Sequence, residues 1–276
     1  MNFKFKTLFA TLILSSAFSA NAAIDSNSGN SELVFSAYDS STGQGYTYDL
    51  DFNKFLNDFV GADQATSANA ALLTNAKVQS SMIGTNGVIF DGALTGLPFT
   101  TTGNVQWNLA AFDNVGRTRL LTTSATDAFS SNNNQVKAGI TAFAAYVAGN
   151  NGNIAVAADD TYALSLDTDG VAYAGALGNN FNNNLTQTTV GLGQSANLWF
   201  LAQATQSSSA AASLSQQLFT FNGDSVVAST YLQDGAWRLN VSSVAAVPEA
   251  ETNVMMLAGL GLIGFIARRR RNMRVN

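Results

Sequence analysis

Along most of this chain apolar and polar residues alternate one by one, the two-residue period of a half-buried strand. Ser31–Asp39 (SELVFSAYD) and Tyr46–Phe52 (YTYDLDF) alternate on either side of SSTGQG, so the spacing predicts a hairpin. Further strands are expected over Lys77–Gly84, Gly87–Leu94, Asn104–Asp113 and Arg117–Ala125, with DNVG turning between the last two. Thr161–Asp167 and Gly170–Leu177 read as strands flanking the turn signal Asp167-Thr168-Asp169-Gly170. Ala196–Thr205, Gln217–Gly223, Ser225–Gln233 and Ala236–Val244 complete the series, and Asp234-Gly235 marks a type I′ turn between the last two.

The helical period is rarer. Phe52, Phe55, Leu56 and Phe59 recur at i, i+3, i+4, i+7, and Val136, Ile140, Phe143, Ala144 and Val147 keep the same three-and-four spacing in a segment expected to end at Gly149. GNNGN, the Asn179–Asn184 run and Ser207–Ser213 read as connectors, with no fixed-period repeat among them. Many short strands separated by turn signals predict a mainly-β fold, an antiparallel sandwich or jelly-roll-like single domain over 23–246 with one or two short helices.

Both ends of the chain break this pattern. Lys4 and Lys6 precede the apolar stretch Thr7–Phe18, and Ala20 and Ala22 then stand at small-x-small spacing, which predicts a signal peptide over 1–22 cut by signal peptidase after Ala22. At the other end, Val254–Ala267 holds no polar or charged side chain, about 21 Å of helix. Arg268, Arg269, Arg270 and Arg271 follow at once and keep the chain end cytoplasmic by the positive-inside effect. Gly259, Gly261 and Gly264 spell G-x-G-x-x-G, but that fingerprint needs a βαβ unit and an acidic residue ~20 positions on, where this chain has arginines and an end.

Pro248-Glu249, Thr252, the glycine-bearing apolar stretch and the arginine cluster together resemble the PEP-CTERM sorting signal of Gram-negative bacteria. Ala250 stands where the Pro-Glu-Pro signature has its second proline. The resemblance covers 247–276. It implies an inner-membrane precursor with a single transmembrane sorting helix and its body outside, cleaved near Pro248 by an exosortase, a membrane-embedded cysteine transpeptidase-like enzyme. It further implies a mature form at the cell surface or outside the cell, in bacteria that make exopolysaccharide.

Composition narrows the chemistry of the body. Six basic residues stand against sixteen acidic ones between Ala23 and Ala246, a net charge near −10, with no basic stripe to neutralise phosphates, so nucleic acid is not an expected partner. The chain has no Cys and no His, which removes disulfides, Cys/His zinc sites, Ser-His-Asp triads and thiol nucleophiles. Carboxylate chemistry and oxygen-ligated calcium remain, and no cofactor is expected.

Three sets of residues are candidates, each with a plain alternative. Asp49 with Asp51, and Asp167 with Asp169, place two carboxylates on one face of a strand or turn, as a glycosidase needs; turn capping is the competing reading. Asp159, Asp160, Asp167 and Asp169 could ligate calcium, although the spacing does not fit an EF-hand loop and a solvated turn explains it too. Trp107, Trp199 and Trp237 could form a sugar-stacking platform, or they could be core. The function expected is a non-catalytic surface or matrix protein associated with exopolysaccharide in a biofilm. A saccharide- or calcium-binding module is the alternative, and a secreted carboxylate-dependent hydrolase the third reading.

Overall fold

The computed structural model describes Ile24, residues 31–50, Leu56, and residues 87–114, 118–126, 129, 131–151, 162–203, 214–218, 220–221 and 224–243. The strands are β1 (Val34–Asp39), β2 (Gln44–Asp49), β3 (Val88–Ala93), β4 (Val105–Asp113), β5 (Arg119–Ser124), β6 (Tyr162–Leu166), β7 (Val190–Gly191), β8 (Ser195–Gln203), β9 (Leu214–Leu218), β10 (Thr220–Phe221), β11 (Asp224–Ser225), β12 (Val227–Gln233) and β13 (Ala236–Ser242). Two α-helices are described, α1 (Asn133–Asn151) and the single turn α2 (Ala174–Leu177). The expected strand at Lys77–Gly84 lies outside the described residues, as does all but Leu56 of the first expected helix.

The fold is mainly β and antiparallel. Its principal sheet runs β3-β13-β12-β8-β5-β4-β1-β2-β6, with β7 added on β4 and β9 on β8, while β10 and β11 form a separate ribbon. The alternation predicts two packed sheets, whereas these strands follow one hydrogen-bonded path that curls. The long strands are the reason. β4 pairs Gln106–Trp107 with β7 and Ala110–Asp113 with β5 along one edge. β8 likewise pairs Ser195–Asn197 with β12 and Trp199–Gln203 with β9. A strand that changes partner along its length turns a corner, so one sheet can enclose a core that would otherwise need a second. Asp234 (φ 52°) and Gly235 (φ 80°) both occupy the left-handed region, as a type I′ turn between β12 and β13 requires.

Both faces of the sheet are buried over its central strands. Phe35, Tyr46, Trp107, Leu109, Leu121, Phe200 and Leu239 fill the inner face. Val34, Phe112, Leu120, Trp199 and Leu201 alternate with them and pack against Val136, Ile140, Phe143 and Val147 of α1. Each such side chain contributes about 1.5–3 kcal/mol by leaving water. The segment leaving β3 draws the two ends of the path together: the Tyr46 hydroxyl donates to the Thr95 carbonyl at 2.7 Å. The ring of Tyr162 in β6 packs against Gly96, whose φ of +75° and missing Cβ admit it.

Helix α1 opens on a reciprocal capping pair, Gln135 N–H to Asn132 Oδ1 (3.0 Å) and Asn132 N–H to Gln135 Oε1 (2.8 Å). It does not stop at Gly149 as its sequence suggests. Gly149 stays helical, and a Cβ there would meet the Cβ of Ala172 at 3.1 Å, so this glycine serves close packing rather than termination.

Gly170–Leu177 is not the expected strand. Asp167–Ala172 forms a 3-10 turn kinked at Gly170 (φ 61°), followed by α2. Small residues allow it: the Tyr173 ring lies across Gly45 and Gly175, where any Cβ would collide with it. The Asn-rich connector also carries structure, because Phe181 (φ 52°) is fully buried and stacks on Phe143 at 5.3 Å and 3°.

Candidate functional site

Beneath α1 the sheet presents hydroxyls and amides in place of some apolar side chains. Ser36 donates to Asn108 Oδ1. The Thr47 hydroxyl donates to Asn150 Oδ1 at 2.9 Å, and its one hydrogen is then spent, so the Tyr146 phenol is the donor in the Tyr146–Thr47 bond. Asn150 in turn donates to the carbonyls of Tyr146 and Ala172, both at 2.9 Å, tying the helix to the 3-10 turn. Burial holds the Tyr146 phenol above its ordinary pKa, opposed in part by the Thr47 and Ser36 hydroxyls. Satisfied polar groups of this kind fix the helix in one position on the sheet.

At one edge of the sheet the β1–β2 turn, the 3-10 turn and Tyr173 meet. Tyr38 and Tyr173 pack edge to face with centroids 6.3 Å apart. Asp39 Oδ1 accepts from the Ser41 amide (2.8 Å) and hydroxyl (2.6 Å), and the Ser41 hydroxyl holds the Asp39 carboxyl below its ordinary pKa. Burial, then the charges of Asp167 and Asp39, push the Tyr173 phenol up. Tyr38 is raised by its own burial against a hydrogen bond from Thr189. Tyr173 is buried, its ring packed across Gly45 and Gly175, so this edge presents carboxylates and hydroxyls rather than open ring faces. Neither tyrosine stands out in the sequence, because Tyr38 ends an ordinary alternation and Tyr173 lies in a segment that reads as a strand.

The residues nominated by sequence are dispersed. Trp107 is fully buried on the inner face, stacked on Phe35 at 5.5 Å, with its Nε1 donating to the Gly191 carbonyl at 2.9 Å. Trp237 shares that inner face at 9% exposure, while Trp199, at 8%, packs edge to face on Phe129 under α1. The three rings therefore form no common platform. Asp169 accepts the Leu166 amide at 2.8 Å, a turn-capping role, and Asp167 sits exposed beside Gly43. Asp159, Asp160 and Asp51 lie outside the described residues. Among the described residues no three acids converge as a metal would require. Asp49 is 2% exposed on the helix side of β2, diagonal to Glu32, which is 3% exposed.

Pro248, Glu249, Ala250, Thr252 and Arg268, Arg269, Arg270 and Arg271 also lie outside the described residues. Among the described residues no helix is long and apolar enough to cross a membrane, and the apolar stretch Val254–Ala267 is not among them.

A mainly-β body followed by a sorting tail is the organisation of an exported protein. The tail is specific: residues 246–271 match the PEP-CTERM protein-sorting motif, so the chain carries the mark of an exported, membrane-anchored precursor processed by an exosortase. No curated protein matches the chain, and no solved structure does.

Proposed function

We propose that this chain is a non-catalytic surface or matrix protein, released from its membrane anchor by exosortase and retained in or on exopolysaccharide in a biofilm. The sorting motif carries this reading. In it, 1–22 is a signal peptide and Val254–Ala267 the single membrane helix that the arginines hold in the inner membrane. The body supports it through a surface rich in Ser, Thr, Asn and Gln, which hydrogen-bonds sugars without strong charge attraction. Its test is the intact mass of the protein recovered from a native exopolysaccharide-producing host. A species running from Ala23 to near Pro248, found outside the cell, is the expected result. A full-length C-terminus in the inner membrane would refute it.

The oxygen groups at the sheet edge favour a second reading, a saccharide- or calcium-binding module centred on Asp39, Ser41 and Asp167. Titration with the host's exopolysaccharide and with Ca²⁺ would show saturable binding lost in Asp39→Asn. The third reading, a carboxylate-dependent hydrolase, requires turnover that disappears in Asp49→Asn or Asp167→Asn.

A further inference from the structure

β3, β13, β12 and β8 lie side by side, and their outer face is polar. Asp91, Asn240, Ser229 and Ser195 stand opposite one another in register across the four strands, a row of hydrogen-bonding side chains. They alternate with Ala196, Ala228, Leu239 and Val241, which belong to the inner core, so all four point away from it. Arg238 and Tyr231 face each other in the next row. Asp91 and Ser195 are exposed at the two ends, Ser229, Tyr231 and Arg238 are half-buried, and Asn240 forms a buried floor.

Three of these side chains lock together. Arg238 donates to Asp91 Oδ1 from Nε at 3.1 Å and from Nη2 at 2.9 Å. The Tyr231 phenol donates to the same carboxylate, 2.9 Å from Oδ1 and 3.0 Å from Oδ2, and accepts from Arg238 Nε at 3.1 Å. The Arg238 and Asp91 side chains are 29% and 37% exposed, and an ion pair so open to water adds little to stability. The pair does have a fixed geometry, and groups ordered beforehand lower what a ligand loses on binding. Arg238 Nη1 and a lone pair of Asp91 Oδ2 are left unused by the cluster.

We propose that this outer face binds a neutral, hydroxyl-rich polysaccharide chain laid across the strands, with Asp91 accepting from sugar hydroxyls and Arg238 donating to them. Three observations select that occupant. Strands about 4.8 Å apart set the groups of the row at a regular interval, which suits an extended polymer better than a single small molecule. Asp91 and Arg238 neutralise each other, and a body with a net charge near −10 repels polyanions. A protein partner would need large apolar anchors, and Leu232, the exposed leucine of β12, turns to the opposite face from Tyr231. This inference rests on the exopolysaccharide part of the proposed function and names the surface that does the holding.

The experiment is surface plasmon resonance with the full chain in detergent, passed over the host's purified and immobilised exopolysaccharide. Wild type should bind saturably, and equally at low and high salt, since a neutral ligand loses little to screening. Asp91→Ala/Arg238→Ala keeps the net charge and should bind about ten- to hundred-fold more weakly, the range that hydrogen bonds to charged groups provide. Its thermal midpoint should stay within about 4 °C of wild type. Asp91→Asn/Arg238→Gln keeps the side-chain shapes and should show the same loss if the first variant fails to fold. Binding by the folded variants equal to wild type would overturn the inference and leave the exopolysaccharide reading standing, as would wild-type binding abolished by salt. Absence of any wild-type binding would overturn both.

Discussion

The ion pair at the ends of β4 and β5 offers a decisive test of the fold. Asp113 and Arg119 face each other directly in register, and their side chains are 1% and 0% exposed. Arg119 Nε and Nη2 both donate to Asp113 Oδ2, at 2.9 and 2.6 Å. Such a pair contributes little net stability against an apolar replacement, because desolvating both charges offsets their attraction, yet removing one partner strands a buried charge. Asp113→Asn or Arg119→Met alone should therefore destabilise the protein by about 3–5 kcal/mol. The double variant Asp113→Leu/Arg119→Met should recover most of that loss. Urea unfolding monitored by tryptophan fluorescence measures it, with single variants shifting the midpoint by roughly 1–3 M at unchanged slope. Singles within about 1 kcal/mol of wild type would mean that water reaches the pair. A double variant as unstable as the sum of the singles would mean that the two residues do not act as a unit.

Four further outcomes follow from other parts of the molecule. The Tyr146 phenol has a raised pKa, so as pH climbs past its ordinary 10.0 the unfolded chain loses this proton first and stability falls. Tyr146→Phe should flatten the part of the alkaline loss above pH 10 that Tyr146 causes, as read by circular dichroism. Gly96→Ala places a Cβ into the Tyr162 ring at a left-handed φ and should cost about 2–4 kcal/mol in thermal unfolding. Trp107→Phe gives up the bond to Gly191, whereas Trp199 Nε1 has no partner among the described residues, so Trp107→Phe should cost about 1 kcal/mol more than Trp199→Phe. Replacing Pro248 and Glu249 with Ala and Gln should leave an uncut precursor in the membrane fraction, detected by its mass.

Alternation made β1, β2, β4, β5, β8 and β13 legible to within a few residues, because each carries a full set of inward apolar positions. It could not show that they share one sheet, since period two says which face a residue occupies and nothing about which strand lies beside it. Gly170–Leu177 misled for a related reason: Val171, Tyr173 and Leu177 alternate like a strand, yet two glycines and three alanines leave room for a tyrosine ring to lie across the backbone. Phe181 escaped notice because polar asparagines surround it, although their tolerance of left-handed backbone is what lets the chain turn it inward. The sorting motif at 246–271 was legible from sequence, since it is written in order and spacing rather than in a packed surface.

The pairing of β3 with β13 has a consequence for the timing of folding. Ala93 finds its partner only when Arg238 arrives, and Val88 only with Ser242. A body entering from its N-terminal end can form the β1–β2 hairpin early, but one rim of its sheet must wait, unpaired, until nearly the whole body has crossed the membrane. Closing so long a loop is slow, and an exposed rim invites aggregation meanwhile. The last strand to arrive is the one directly upstream of the sorting motif, so a chain truncated before β13 would lack both its seam and its address.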